Sequence, residues 1–279
     1  MMHAQLRLAF SAVGGGTQLH CLQQDPPWKV VRAFPNPAGE SLVHLNNVSG
    51  GVFGGDCLSL HIHLDRGAAA QITTTGSTRI YRPREDAADA VQVSEIHLGE
   101  GALLEYLPDS VIPFRDARFE QRTDVHLEPG ATLFWWEIIA PGRVAGGESF
   151  AYESLRINTR ICSQGQPIYI DRMRFHPHQV KPSSLARFGS FRYLTSFMIC
   201  RSGEDANTWI ALEQMLRETA QQRSHESTLW GATALTADGL LVRGLSHSAL
   251  HIMEDLFCFW SSAKNYLCGR AASPPRRTY

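Results

Sequence analysis

The chain has 279 residues, 43% hydrophobic and 19% charged, a balance that buries a sizeable core and excludes an intrinsically disordered segment. Its 26 Lys plus Arg against 27 Asp plus Glu leave a formal net charge of −1, which gives no long-range field for nucleic acid or an anionic membrane. No apolar run approaches the ~18 residues of a membrane span, and Cys21, Cys57, Cys162, Cys200, Cys258 and Cys268 contain no CxxC pair, as a zinc knuckle would need.

The start of the chain carries His3, Gln5 and Arg7, where a secretion signal needs an unbroken apolar stretch. With its scattered thiols read as reduced, the expectation is a cytoplasmic protein. From about residue 40 to 175 the pattern is period two. Leu58, Leu60, Ile62 and Leu64 alternate with Ser59, His61 and His63, as a half-buried strand requires. Just before them Gly50, Gly51, Gly54 and Gly55 surround Asp56, which suits a strained turn that brings backbone close to another element.

A weak repeat organises this region, reading HLDRGA from His63, HLGEGA from His97 and HLEPGA from His126. In each copy Gly67, Gly101 or Gly130 sits where a tight reversal calls for positive φ, and an Ala follows. The spacings of 34 and then 29 residues are uneven, which predicts stacked β layers of hairpin-like units and not a regular solenoid. Between the copies, Thr73, Thr74, Thr75, Ser77 and Thr78 crowd hydroxyls into one stretch that ends at Arg79, Ile80, Tyr81 and Arg82. Such a segment fits a β edge or the lining of a polar channel. Glu105, Glu137 and Glu148 each lie in an apolar or glycine-rich context, where an acid is costly unless paired or functional.

After residue 175, Pro177, Pro182, Ser183 and Ser184 mark a crossing loop up to Gly189. A helix is expected over about 203–222, N-capped by Ser202, with Trp209, Leu212, Met215, Leu216 and Thr219 on one face. A second is expected over about 249–268, with Leu250, Met253, Phe257, Trp260 and Leu267 on one face and Gly269 ending it. Residues 271–279 form a flexible tail. Trp135, Trp136, Phe257 and Trp260 are expected to leave apolar surface that only a partner would cover.

Catalytic motifs are lacking: no GxxxxGK[ST], GxGxxG, GxSxG or HExxH occurs, and Gly14, Gly15 and Gly16 come without the Lys of a nucleotide site. His61 and His63 share a strand face as in a cupin metal site, but Leu64, Asp65, Arg66 and Gly67 follow where that site needs a Glu. The pair is therefore read as a solvated polar face, and His176 and His178 as loop residues.

The runs GGVFGGD (Gly50 to Asp56), TTTGSTRIYR (Thr73 to Arg82), LEYLPDSVIPF (Leu104 to Phe114), WWE (Trp135 to Glu137) and PGRVAGGESF (Pro141 to Phe150) resemble the motif series of the UreD (UreH) family, in the family's order. The resemblance covers residues 6–175 well and the remainder more loosely, through Pro275, Arg276 and Arg277. Val48 and Ser49 depart from it, standing where the family has prolines and another glycine.

The resemblance implies one scaffold domain over residues 1–279, mainly β with stacked antiparallel layers, sandwich-like or irregularly β-helical. It would be β-rich through residue 200 and helix-containing over 201–270. It implies a non-catalytic nickel metallochaperone that binds UreF and UreG and docks on apo-urease, with transient Ni²⁺ as cargo and no permanently bound cofactor. Asp56, Glu137 and Glu148 are the candidate nickel path. Gly50, Gly51, Gly54, Gly55, Thr73, Thr74, Thr75, Arg79, Tyr81, Glu105, Pro108 and Arg143 are the candidate interaction or structural positions. Two other readings compete. One is a metal-dependent enzyme on a β sandwich using His61, His63 and a carboxylate, and the other a non-catalytic β module for plain interaction or carbohydrate binding, served by Trp135 and Trp136.

Overall fold

A computed structural model describes residues 2–36 and 39–275. The first part of the chain forms β1 (His3–Val13), β2 (Gly16–Gln24), β3 (Trp28–Lys29), β4 (Ala33–Pro35), β5 (Ser41–Asn47), β6 (Cys57–Leu64), β7 (Ala69–Thr74) and β8 (Thr78–Ile80). Next come β9 (Ala90–Leu98), β10 (Leu103–Tyr106), β11 (Val111–Pro113), β12 (Arg118–Leu127), β13 (Thr132–Ile139), β14 (Ser154–Ser163), β15 (Gln166–Phe175) and β16 (Tyr193–Arg201). The remainder is α1 (Ala206–Arg223), β17 (Thr228–Ala234), β18 (Gly239–Ser246) and α2 (Ile252–Cys268).

These strands make two packed, open, mixed sheets. One has the order β15-β14-β12-β9-β6-β1-β2, and the other runs β17-β18-β16-β13-β10-β7-β5-β3 with β4, β8 and β11 attached at its sides. A mainly β protein with two helices is therefore the observed architecture. The centre of each sheet, however, is parallel: β1, β6, β9, β12 and β14 in the first, and β5, β7, β10 and β13 in the second. Antiparallel pairing is confined to the flanking strands, such as β14 with β15 and β16 with β18.

The three repeat copies explain the difference. Each is an arch that carries the chain from the first sheet to the second, not a hairpin folding back on its neighbour. Gly67, Gly101 and Gly130 have φ of 69°, 65° and 72°. The same three-residue reversal closes each arch, with Ala68, Ala102 and Ala131 donating to Asp65, Gly99 and Glu128 at 3.0 Å. The arches stack, since the Gly67 N–H donates to Glu100 and the Gly101 N–H to Pro129. Ala68, Ala102 and Ala131 are fully buried in that stack. Arches and hairpins use the same turn residues, so local sequence does not distinguish them.

One core fills the space between the sheets, with Leu6, Leu60, Ile96, Val125, Leu133 and Trp135 among its members. A second lies between the other face of the larger sheet and the helices, with Phe134, Trp136, Phe197, Trp209, Leu212 and Trp260. β13 is thus covered on both faces, and all eight of its residues are buried. That overturns the expectation of sticky apolar surface, because Trp135, Trp136 and Trp260 are at most 2% exposed and Phe257 packs against the second core.

The helices fall close to their expected spans. Asp205, not Ser202, caps α1, accepting from the Asn207 N–H at 2.8 Å. Gly269 ends α2 in the left-handed conformation. The buried stripe of α2 is Ile252, Leu256, Phe259, Trp260, Ala263 and Leu267, whereas Leu250 precedes the helix and is exposed. β17 and β18, between the helices, were not expected. The expected tail lies in part outside the described residues. Among the described residues no helix is long and apolar enough to cross a membrane.

Candidate functional site

The inward positions of β9 and β12 carry polar residues where alternation predicts a core. Ser94 pairs across the strands with Thr123, Thr123 with Thr159, and Thr159 with Asp171, so one polar row crosses four strands of the smaller sheet. On the larger sheet a second row, Glu137, Ser196 and Arg243, crosses β13, β16 and β18. Gln121, two residues before Thr123 on β12, donates through Nε2 to Glu137 Oε1 at 2.5 Å and so bridges the two sheets at the Glu137 end of the second row. At one end Arg243 pairs with Asp171, which also accepts from the Tyr169 hydroxyl at 2.9 Å.

A cavity of about 230 Å³ opens onto one end of these rows. Gln92, Ser94, Gln121 and Thr123 line it from one sheet, and Tyr106, Trp135 and Glu137 from the other. Its mouth is built by Gly50–Val52, Thr74–Arg79 and Pro108–Asp109. The hydroxyl-rich run therefore lines a cavity. Polar groups in such a core are costly unless bonded, and among the described residues the buried Thr159 hydroxyl has no partner. Burial pushes the Glu137 carboxyl up to about 7, against the lowering effect of the Gln121 hydrogen bond.

The three acids of the expected path are not brought together. Glu137 lines the cavity. Asp56 is buried in the glycine turn, where its Oδ2 accepts from the Phe53 N–H at 3.0 Å. Glu148 pairs with Arg143 at 2.9 Å and accepts from the Arg115 N–H at 3.1 Å. The two buried indoles, Trp135 and Trp136, offer no face for a sugar. His61 and His63 are on the outer face of β6, opposite the cavity, at 3.3 Å from Glu95 and 3.2 Å from Asp65.

The family model described as UreD urease accessory protein matches residues 2–279. The chain belongs to the UreD family. It is 42% identical to the urease accessory protein UreD of Herpetosiphon aurantiacus over 279 residues, covering 100% of this chain and 97% of that one. The UreD proteins of Deinococcus radiodurans and Pseudomonas putida are each 31% identical, over 90% and 98% of this chain and 89% and 92% of their own. These are names of accessory proteins and not of enzymes, in agreement with the missing catalytic motifs.

The UreD motifs build the mouth and the frame of the cavity. Val52 exchanges backbone hydrogen bonds of 2.8 Å with Arg79 and Tyr81. Tyr81 stacks on Phe53 with centroids 4.7 Å apart. Thr73 Oγ1 donates to Leu107 at 2.7 Å, the Asp109 N–H donates to Thr74 Oγ1 at 2.9 Å, and Pro108 accepts from the Trp136 indole at 2.8 Å. Thr75 lines the mouth, Gly50 and Gly55 take φ of 81° and 84°, and a Cβ at Gly54 would lie 2.3 Å from Pro83. At Gly51 a Cβ would sit 2.5 Å from the Tyr81 ring and 2.6 Å from the Arg79 carbonyl. Gly51→Ala is expected to cost about 1–3 kcal/mol by overpacking this rim, and a melting temperature equal to that of the parent would show that the turn gives way freely.

A second cluster was only partly visible in the sequence. Lys264 of α2 lies 2.9 Å from Glu40 and 2.7 Å from Glu105, and all three side chains are 0% exposed. Trp260 Nε1 and Gln71 Nε2 also donate to Glu105, at 3.1 and 2.7 Å. Burial raises the Glu105 carboxyl, with Lys264 opposing it. This cluster fastens α2 to the larger sheet.

Proposed function

We propose that the chain is a urease maturation scaffold that binds UreF and UreG, docks on apo-urease, and passes Ni²⁺ as cargo along the polar rows between its sheets. The observation that carries the reading is the facing pair of rows, Ser94–Thr123–Thr159–Asp171 and Glu137–Ser196–Arg243, with a cavity opening onto one end of them. Hydroxyl, amide and carboxylate oxygens hold Ni²⁺ more loosely than imidazole or thiolate, which suits transit over storage. Glu137 is the acid placed to meet the ion. Asp56 and Glu148 fit the path less directly, since turn and arginine contacts already engage them.

Drying the rows tests the reading. Ser94→Ala with Thr123→Val removes two inward hydroxyls without adding bulk to the buried rows. Urease activation by the purified accessory proteins is expected to fall severalfold, with UreF pull-down and melting temperature preserved. Full activation by this variant would remove the interior rows from the route. Loss of UreF binding would instead show that they support the docking surface.

A further inference from the structure

The repeat carries its first residue, His, to the outside of the smaller sheet. Because the arches stack in register, His63 pairs with His97 and His97 with His126 across three parallel strands. The His97 and His126 rings are stacked, with centroids 4.7 Å apart and planes at 8°, while His63 stands farther off at 6.3 Å. Glu95, two residues before His97 on the same face, lies 2.9 Å from His97 Nε2 through Oε1 and 3.3 Å from His61 Nδ1 through Oε2. One ligand atom each from Glu95, His97 and His126 falls within 4.8 Å of the others.

We propose that Glu95, His97 and His126 form an exterior, exchangeable site for a borderline divalent transition-metal cation of the Ni²⁺ and Zn²⁺ class. Two imidazoles and one carboxylate suit such ions and not Mg²⁺. Metal–nitrogen bonds of about 2.1 Å bring ligand atoms to about 3–3.4 Å, and these half-exposed side chains close that gap by rotating about χ1 and χ2. His61 keeps hold of the second Glu95 oxygen and orients the carboxylate, as outer-shell partners do. The nearby Arg160 is neutralised by Asp124 at 2.5 Å, so it does not repel a cation. Three protein ligands leave positions for water or for a donor from another protein, which makes the ion removable. The site is on the opposite face of the sheet from Ser94 and Thr123, and it does not depend on the interior route.

Calorimetric titration of the full chain with NiCl₂ in a non-chelating buffer tests the proposal. One equivalent is expected to bind with a micromolar Kd, and MgCl₂ is expected to give no binding. His97→Ala with His126→Ala is expected to weaken the Ni²⁺ affinity at least about tenfold, the effect of losing 1.4 kcal/mol of binding. Both side chains are half-exposed, so melting should be unchanged, and His97→Gln with His126→Gln repeats the test with shape retained. Absence of saturable Ni²⁺ or Zn²⁺ binding would overturn the site, as would equal affinity in the double variants. Binding lost in Glu137→Gln but kept in the histidine variants would overturn it too, by placing the ion between the sheets.

Discussion

Lys264→Met is expected to destabilise the protein by about 3–5 kcal/mol, the usual consequence of removing one partner from a buried ion pair. Against a typical total of about 5–15 kcal/mol, that is a large fraction. The residue lies between Glu40 and Glu105 with no solvent access, and one Glu40 oxygen already lacks a hydrogen-bond donor. Without the ammonium only the half-exposed Arg270, 4.0 Å from Glu40, offsets the two buried carboxylates, which must take up protons or separate. The sign follows from burial, which already raises Glu105. An acid raised in the folded state loses stability as pH rises, so the Lys264→Met defect should be mildest at low pH. Thermal melting measures it. Adding Glu40→Gln and Glu105→Gln to Lys264→Met is expected to recover most of the loss, because a fully neutral cluster carries no uncompensated charge. A single Lys264→Met variant that melts like the parent would show that α2 is held by its apolar stripe alone.

The same cluster shows where sequence legibility ended. Lys264 looks like a solvated charge on an amphipathic helix, and Glu40 stands just outside β5. Only the tertiary packing of α2 against the larger sheet brings them together. By contrast, the strands between about residues 40 and 175, the glycine turns and both helix spans are written locally, in alternation, turn residues and the Gly269 cap, whereas the capping role of Asp205 over Ser202 is not. The choice between hairpin and arch was not, since it depends on which sheet the next strand joins. The polar rows carry a local signal of their own. Ser94, Thr123 and Thr159 each stand three residues before His97, His126 and Cys162, at the parity where Leu60 fills the core before His63. A hydroxyl recurring at a core position across successive layers marks an internal polar row. Asp56 and Glu148 misled in the opposite sense: an acid among glycines was equally consistent with a turn fastener, and hydrogen bonding to its own turn is what Asp56 does.

Glu137→Gln is expected to raise stability at pH 8 and lower urease activation. Burial lifts the folded carboxyl from the ordinary value of 4.5 to about 7, so between those values the folded state binds more protons than the unfolded chain. Stability of the parent therefore falls as pH rises from about 4.5 to about 7 and stays low above it. At about 1.4 kcal/mol per unit, the penalty reaches about 3 kcal/mol. Gln carries no charge to desolvate and keeps an oxygen that accepts from Gln121, so the variant should melt several degrees higher at pH 8 and equal the parent near pH 4.5. Its lost anion is what a passing Ni²⁺ would use. Metal binding to a protonated carboxyl must release the proton, so activation by the parent should rise with pH through about 7 while the variant stays low and flat. A purely structural Glu137 predicts the melting change with activation unaltered. A variant with the parent's melting profile would show instead that the carboxylate is well solvated in the cavity, which would remove the physical basis for the raised value.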